Sequence, residues 1–363
     1  MELHAQIRNF TYKKCWHKNL AYFEIDNVNT LPSRCLVNIA NKTLALSKWV
    51  SPKRTRSYPY ARVYDTFDVS ANKVVTIIPL IKDEGIGGDM DYLQWDTISL
   101  MSLLNVYVIL SFYDQADLAS RSSHKITHQK LNHAHVIEQL VKIASYHQTA
   151  LHWNLDQLKN ENLLCLLHSI KISYEGISHR LGVQMHPFEN IEKFAQKISQ
   201  SRTSFMRFSR QKAQKAQVRE SLTTQPKERI GIGCKSKIIV ENYLGGQYFL
   251  TIDDAILNQN ILYLCESKHS KNSLLPNDDD IKDGLLKLML YLNLEKIHGF
   301  DRFSTALRLT SDILEDTFML PSAHLHTLIG RHRFSSSQIA TLKALNMESQ
   351  NNNFEIWINH GIF

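Results

Sequence analysis

Two apolar segments joined by a short polar turn constrain the fold of this chain more than any other feature of its sequence. Residues 248–257 and 261–268 are rich in Ile, Leu, Tyr and Phe, and Asn258-Gln-Asn260 lies between them. Apolar runs of this length with a turn signal between them predict a β-hairpin in the protein interior. Asp253 and Asp254 interrupt the first run, so the hairpin has to accommodate charge.

The second strand of this hairpin ends in the triplet Glu266-Ser-Lys268, which adds an acidic and a basic residue. Because side chains alternate across a strand, Glu266 and Lys268 project from the same face, and the hairpin brings one aspartate beside them. Burying these charges is costly unless they are paired or bind a metal. Carboxylates are ligands for Mg²⁺ and a nearby lysine can orient or activate water, so this set suits phosphodiester hydrolysis.

The hairpin resembles the PD-(D/E)XK nuclease superfamily, to which many type II restriction endonucleases belong. Asp254 matches the motif aspartate, Asp253 stands where the motif usually has Pro, Glu266 matches the acidic position and Lys268 the lysine. The resemblance implies that Asp254, Glu266 and Lys268 are catalytic. It also implies a Mg²⁺ ion held by Asp254, Glu266 and the backbone carbonyl of Ser267.

The resemblance extends over roughly residues 237–295, about a sixth of the chain. In such folds a helix packs behind the second catalytic strand, and the amphipathic segment from Ile281 to Leu292 is placed to form it. A bare Glu-x-Lys triplet arises by chance in a chain of this length, and Asp280-Ile-Lys282 is a rival triplet without an acidic hairpin partner. The alternative interpretation of the hairpin triplet is an ion pair at a strand end.

The length of the hairpin turn decides which aspartate faces Glu266. A two-residue turn pairs Asp253 with Glu266, whereas a three-residue turn at Asn258-Gln-Asn260 puts Asp254 on that face. The family resemblance favours Asp254, and Asp253 stays as the alternative. Glu241 is a further candidate ligand, or else a solvent-facing strand residue.

Composition fits a globular protein with a polyanionic partner. Of the 363 residues, 43% are hydrophobic, and 42 Lys and Arg against 35 Asp and Glu give a net charge of +7. This surplus fits double-stranded DNA as a partner. Five cysteines without a CxxC pair argue against a zinc ribbon and for a reducing compartment. We also find no signal peptide and no run of the ~20 apolar residues that a membrane span needs, so we expect a cytoplasmic protein.

Two basic segments are candidate DNA-binding elements. The first holds Lys53, Arg54 and Arg56 next to several tyrosines, a combination that suits phosphate contacts. The second is a predicted basic helix that holds Arg207 and Arg210. For each segment the alternative is a solvated charged surface.

Sequence patterns predict an α/β protein of mixed α+β character in three segments. Residues 1–130 form an N-terminal α/β domain, suited to DNA recognition, with a hairpin of strands at 60–69 and 73–82. Residues 131–229 form a helical region with a basic connector. Residues 230–363 form the nuclease-like domain, a restriction-endonuclease-like core in which helices flank a mixed sheet.

The resemblance and these patterns together imply a Mg²⁺-dependent endonuclease that cleaves double-stranded DNA at a short specific site, as type II restriction enzymes do. A cognate DNA methyltransferase is implied by the resemblance alone, and a two-fold symmetric site would suggest a homodimer. The alternatives are a repair, recombination or transposon-associated nuclease with the same site, and a non-catalytic nucleic-acid-binding factor.

Overall fold

The computed structural model describes residues 2–200, 234–242 and 247–359. Two compact units make up the chain: unit 1 is Met1–Lys18 with Ala213–Phe363, and unit 2 is Asn19–Lys212. The helices and strands of the described residues are, in chain order, β1 (Glu2–Ile7), β2 (Tyr22–Phe23), β3 (Arg34–Ile39), β4 (Lys42–Lys48), α1 (Pro59–Thr66), β5 (Lys73–Pro79), β6 (Ile81–Asp83), β7 (Met90–Tyr92), α2 (Trp95–Leu103), β8 (Tyr107–Ser111), β9 (Tyr113–Leu118), β10 (Ile126–Leu131), α3 (His133–Ser145), α4 (Ala150–Asp156), α5 (Asn160–Leu181), α6 (Glu189–Gln200), β11 (Cys234–Asn242), β12 (Gln247–Asn258), β13 (Ile261–Ser270), α7 (Asp278–Leu292), β14 (Leu294–Ile297), β15 (Phe303–Ser311), β16 (Phe318–Leu320), α8 (Leu325–Arg331), α9 (Ser336–Asn352) and β17 (Glu355–Ile358).

Unit 1 is built on a mixed sheet, which among the described residues has the strand order β14-β1-β11-β12-β13-β15-β17-β16. The strands β11, β12 and β13 form an antiparallel meander, and β13 then pairs in parallel with β15. A parallel pair needs a crossover, which α7 supplies while it packs on both strands. The side chain of Asn277 caps α7 and three aspartates fill its first turn, as suits the positive end of a helix. The predicted hairpin, the predicted helix and the mixed sheet flanked by helices are confirmed.

The division into units differs from the three segments predicted from the sequence. Strand β1 pairs in parallel with β11, so the start of the chain belongs to the sheet of unit 1. The helices α3 and α4 share one apolar core with β3, β4, β5 and β8, so no boundary falls near residue 130. Their apolar faces need this sheet for burial, and a helical segment of its own would leave them exposed.

Unit 2 contains a five-stranded sheet in the order β2-β3-β4-β5-β8, with β4, β5 and β8 parallel. The predicted strand at 60–69 is wrong, because Pro59–Thr66 forms the helix α1. Parallel neighbours such as β4 and β5 cannot be joined by a tight turn, and α1 is the crossover between them. A proline at the first helical position also favours a helix that starts there.

No helix formed by the described residues has the length and apolarity required to cross a membrane.

Candidate functional site

The hairpin of β12 and β13 closes with a two-residue turn. Asn258 pairs with Ile261, and the two residues between them, Gln259 and Asn260, have φ values of 45° and 64°. Positive φ at both central residues is typical of the type I′ turn, whose twist matches that of the flanking strands. Of the two turn lengths that the sequence left open, the structure therefore has the two-residue turn.

The turn length places Asp253, and not Asp254, on the face of Glu266. Asp254 pairs with Cys265, and its Oδ2 lies 2.6 Å from Nη2 of Arg308 on the opposite face of the sheet. One position further along both strands, Asp253 comes opposite Glu266. The placement of Asp254 beside Glu266 is therefore corrected by one residue, and Asp253 takes that position.

Asp253 is tied to the second strand by its side chain. The backbone pairing of β12 with β13 ends at Asp254, and beyond it the backbone N–H of Ser267 donates to Oδ2 of Asp253 at 2.9 Å. The hydroxyl of Ser267 donates to Oδ2 of Asp254 on the other face, at 3.3 Å. Ser267 can therefore offer the face of Asp253 a backbone oxygen and no side-chain oxygen.

Glu266 is fully buried, and both of its carboxylate oxygens accept hydrogen bonds from α7. Nζ of Lys287 donates to Oε2 and the hydroxyl of Tyr291 donates to Oε1, each at 2.9 Å. Burial raises the pKa of Glu266 to about 7, against the opposing effect of Lys287. Burial also disfavours the charge of Lys287, but Glu266 and Asp253 outweigh it and raise the pKa of this lysine.

Lys268 shares the face of Glu266 and lies under α7. Its Nζ is 3.1 Å from Oδ2 of Asp283, and its side chain is 11% exposed. Burial lowers the pKa of Lys268, but the carboxylates of Asp283, Glu266 and Asp253 raise it above the ordinary value. The ammonium group is therefore charged at neutral pH.

Three residues of α7 that the sequence reasoning missed complete this cluster: Asp283, Lys287 and Tyr291. They are spaced four apart and so share one helix face, which here points to the sheet. Sequence patterning gave no signal for them, because Asp283 and Lys287 lie opposite the apolar side of the helix, where amphipathic patterning expects solvent. Gly284 lets α7 lie close to β13, because a Cβ at this position would lie 3.1 Å from Cε of Lys268. We call Asp253, Glu266, Lys268, Asp283, Lys287 and Tyr291 the hairpin cluster.

Glu241 does not belong to the hairpin cluster. It is exposed on β11 and accepts a hydrogen bond from the side chain of its cross-strand partner Gln247. Gln247 precedes Asp253 by six residues on β12, which is about 20 Å along a strand. The candidate role of Glu241 as a ligand of this site is therefore wrong, and it is a solvent-facing strand residue.

The hairpin cluster contains donors that suit a hard cation. Asp253 and Glu266 present carboxylates from neighbouring strands, and the backbone carbonyl of Ser267 is a further oxygen. Among the residues that the structure describes, no group of three or more His, Cys, Asp or Glu is placed to hold a metal ion. Mg²⁺ is commonly held by one or two carboxylates together with waters and substrate phosphate, so this donor set fits it.

Of the basic residues predicted to contact DNA, Lys53, Arg54 and Arg56 are engaged by carboxylates. The guanidinium of Arg56 bonds to Glu84, lies 2.5 Å from Asp89 and lies 3.2 Å from Asp91. Two further pairs are Lys53 with Asp91 at 4.0 Å and Arg54 with Asp96 at 3.7 Å. Phosphate binding by these side chains would have to compete with their ion pairs. Arg207 and Arg210 lie outside the described residues.

Glu84, at the centre of these ion pairs, should make the stability of unit 2 sensitive to acid. Burial raises the pKa of Glu84, but Lys125, Lys82 and Arg56 outweigh it and hold the value at about 2, below the ordinary 4.5. The ionised carboxylate therefore stabilises the fold above pH 4.5, and this contribution is lost as the pH falls towards 2. We expect Glu84→Gln to be less stable than the wild type at about pH 6, and the difference to shrink at about pH 3. Urea unfolding at both pH values measures this, and an equal difference at both would contradict it.

The structure thus brings together Asp253, Glu266 and Lys268 and places Asp254 behind them. The carboxylates and the ammonium lie on one face of the hairpin, beneath a helix that supplies their partners. Comparison of the chain with protein-family models, with curated proteins and with solved structures finds no match.

Proposed function

We propose that this protein is a Mg²⁺-dependent endonuclease that hydrolyses phosphodiester bonds of double-stranded DNA at a short specific site, in the manner of type II restriction enzymes. The observation that carries the proposal is the convergence of Asp253, Glu266 and Lys268 on one buried hairpin face. The packing of α7 on β13 supports it, because the PD-(D/E)XK resemblance implies a helix packed on this strand. Such an enzyme would act in the cytoplasm beside a methyltransferase of the same specificity, and as a homodimer on a two-fold symmetric site.

Five of the six residues of the hairpin cluster have a role in this chemistry. Asp253 and Glu266 would hold Mg²⁺, with the backbone carbonyl of Ser267 as a further oxygen. When bound, Mg²⁺ supplies neutralisation of phosphate charge and a more acidic water. Lys268 places a fixed positive charge beside the carboxylates, where it stabilises negative charge on the transition state. Lys287 and Tyr291 hold the carboxylate of Glu266 in one orientation.

Incubation of the purified full chain with plasmid DNA, with Mg²⁺ and with EDTA, separates the candidate functions. Discrete fragments that need Mg²⁺ support site-specific cleavage. Smearing or structure-selective nicking supports a repair or recombination nuclease with the same site. A gel shift without cleavage supports a non-catalytic DNA-binding protein and contradicts the proposal.

Lys268→Met tests whether the lysine takes part in catalysis. Methionine keeps most of the stem that packs beneath Gly284 but removes the charge. We expect single-turnover cleavage at saturating DNA to slow by about 10²–10³-fold, with DNA affinity little changed. Lys271→Met is the matched control, since this exposed lysine follows the strand by one residue, and its rate should stay within about threefold of the wild type. A similar rate in Lys268→Met would remove Lys268 from the mechanism.

A further inference from the structure

Arg308 of β15 joins three neighbouring strands on the face opposite the hairpin cluster. Its side chain is 4% exposed, with Nη2 2.6 Å from Oδ2 of Asp254 on β12. Its Nε donates to the hydroxyl of Ser267 on β13 at 3.0 Å, and that hydroxyl donates to Asp254 at 3.3 Å. The three side chains form a closed triangle across β12, β13 and β15, which we call the rear triangle.

The rear triangle holds the residues that lie next to the proposed catalytic groups in the chain. Asp254 directly follows Asp253, and Ser267 lies between Glu266 and Lys268. Since consecutive side chains point to opposite faces of a strand, a residue fixed from behind fixes the direction of its neighbours in front. The backbone pairing of β12 with β13 stops at Asp254, so the rear triangle lies at the point where the pairing ends.

We propose that Arg308 is a positioning residue, which sets the spacing of Asp253 from Glu266 and Lys268 through Asp254 and Ser267. The proposal rests on the proposed nuclease function for its effect on rate. A guanidinium suits this role because its planar fork donates to two acceptors in fixed directions, which an ammonium on a flexible stem cannot do. Asp254 then acts through Arg308 and not as a metal ligand.

Two variants remove the triangle in different ways. Arg308→Lys keeps the charge near Asp254 but loses the fork. Arg308→Met combined with Asp254→Leu removes both charges together, and such apolar replacement of a buried pair commonly preserves stability. Arg302→Lys is the matched control, because this arginine is exposed and directly precedes β15.

Single-turnover cleavage and amide exchange of residues 266–268 are measured for each variant and for the wild type. We expect the cleavage rate at saturating DNA to fall about 10–100-fold, with DNA affinity within about threefold, since a small misplacement of reacting groups costs up to this much. Exchange of the three amides should become faster, while Arg302→Lys should match the wild type in both measurements. If Arg308 only stabilised the fold, the variants would melt at a lower temperature, but the folded variants would cleave DNA at the wild-type rate.

The outcomes separate this proposal from the nuclease function. A wild-type rate in both folded variants would overturn the positioning role, even if the wild type is an active nuclease. If the wild type cleaves no DNA, the nuclease function fails, and amide exchange decides the structural role of Arg308. Faster exchange at residues 266–268 in Arg308→Lys would then support that role, and unchanged exchange would overturn it.

Discussion

Glu266→Gln is expected to abolish Mg²⁺-dependent DNA cleavage, with the single-turnover rate reduced at least about 10³-fold, or about 4 kcal/mol of transition-state stabilisation. The amide keeps the size of the carboxylate and can still accept the hydrogen bond of Tyr291, but it is a poor ligand for Mg²⁺. The variant also leaves Lys287 buried without its anionic partner. Cleavage should therefore be measured well below the melting temperature of the variant, with folding checked by circular dichroism.

Glu241→Gln is the matched control for Glu266→Gln. Glu241 lies on the same sheet but is exposed and about 20 Å along the strand direction from the hairpin cluster. Its variant should cleave at the wild-type rate. Equal cleavage rates in Glu266→Gln and the wild type would show that Glu266 takes no part in cleavage.

Lys287→Met is expected to destabilise the protein by about 3–5 kcal/mol at about pH 8, because it leaves the fully buried carboxylate of Glu266 without its ion-pair partner. For a unit of this size the melting temperature should fall by about 10 °C. The pKa of Glu266 is already about 7, and without Lys287 it should rise further. Protonated Glu266 needs no cation, so the loss of stability should be smaller at about pH 5 than at about pH 8.

Thermal unfolding of Lys287→Met at both pH values measures this effect. Lys343→Met on α9 is the control, since Lys343 is exposed and its replacement should change stability by less than about 0.5 kcal/mol. A melting temperature of Lys287→Met that matches the control at about pH 8 would show that Glu266 does not depend on this lysine.

The hairpin and the shared face of Glu266 and Lys268 could be predicted because both depend on local periodicity. Which of Asp253 and Asp254 lies on the face of Glu266 could not be predicted. A change of one residue in the turn length moves every later side chain to the other face. Asn260 alone suggests a tight turn, and its partner Gln259 gives no strong preference for positive φ. The family motif favoured Asp254 for the position beside Glu266, but the two-residue turn places Asp253 there.

Contacts between distant segments explain the remaining differences. Residues 60–69 have the composition of a strand, but the parallel pairing of β4 with β5 requires a helix between them. Amphipathic patterning assigns polar residues of a helix to solvent, so it could not show that Lys287 and Tyr291 point to a buried carboxylate. The sequence around Arg56 suggests a phosphate ligand, because its ion-pair partner Glu84 is 28 residues away in the chain and only the folded structure brings the two together.

The central claim is that the hairpin face of Asp253, Glu266 and Lys268 cleaves DNA with Mg²⁺. Cleavage of covalently closed plasmid DNA by the wild type and by Asp253→Asn, side by side with Mg²⁺ and with EDTA, tests it most directly. We predict that the wild type cleaves the plasmid with Mg²⁺ but not with EDTA. Asp253→Asn should not cleave it under either condition, because its amide cannot replace the carboxylate as a ligand. No cleavage by the wild type, or undiminished cleavage by Asp253→Asn, would contradict the account.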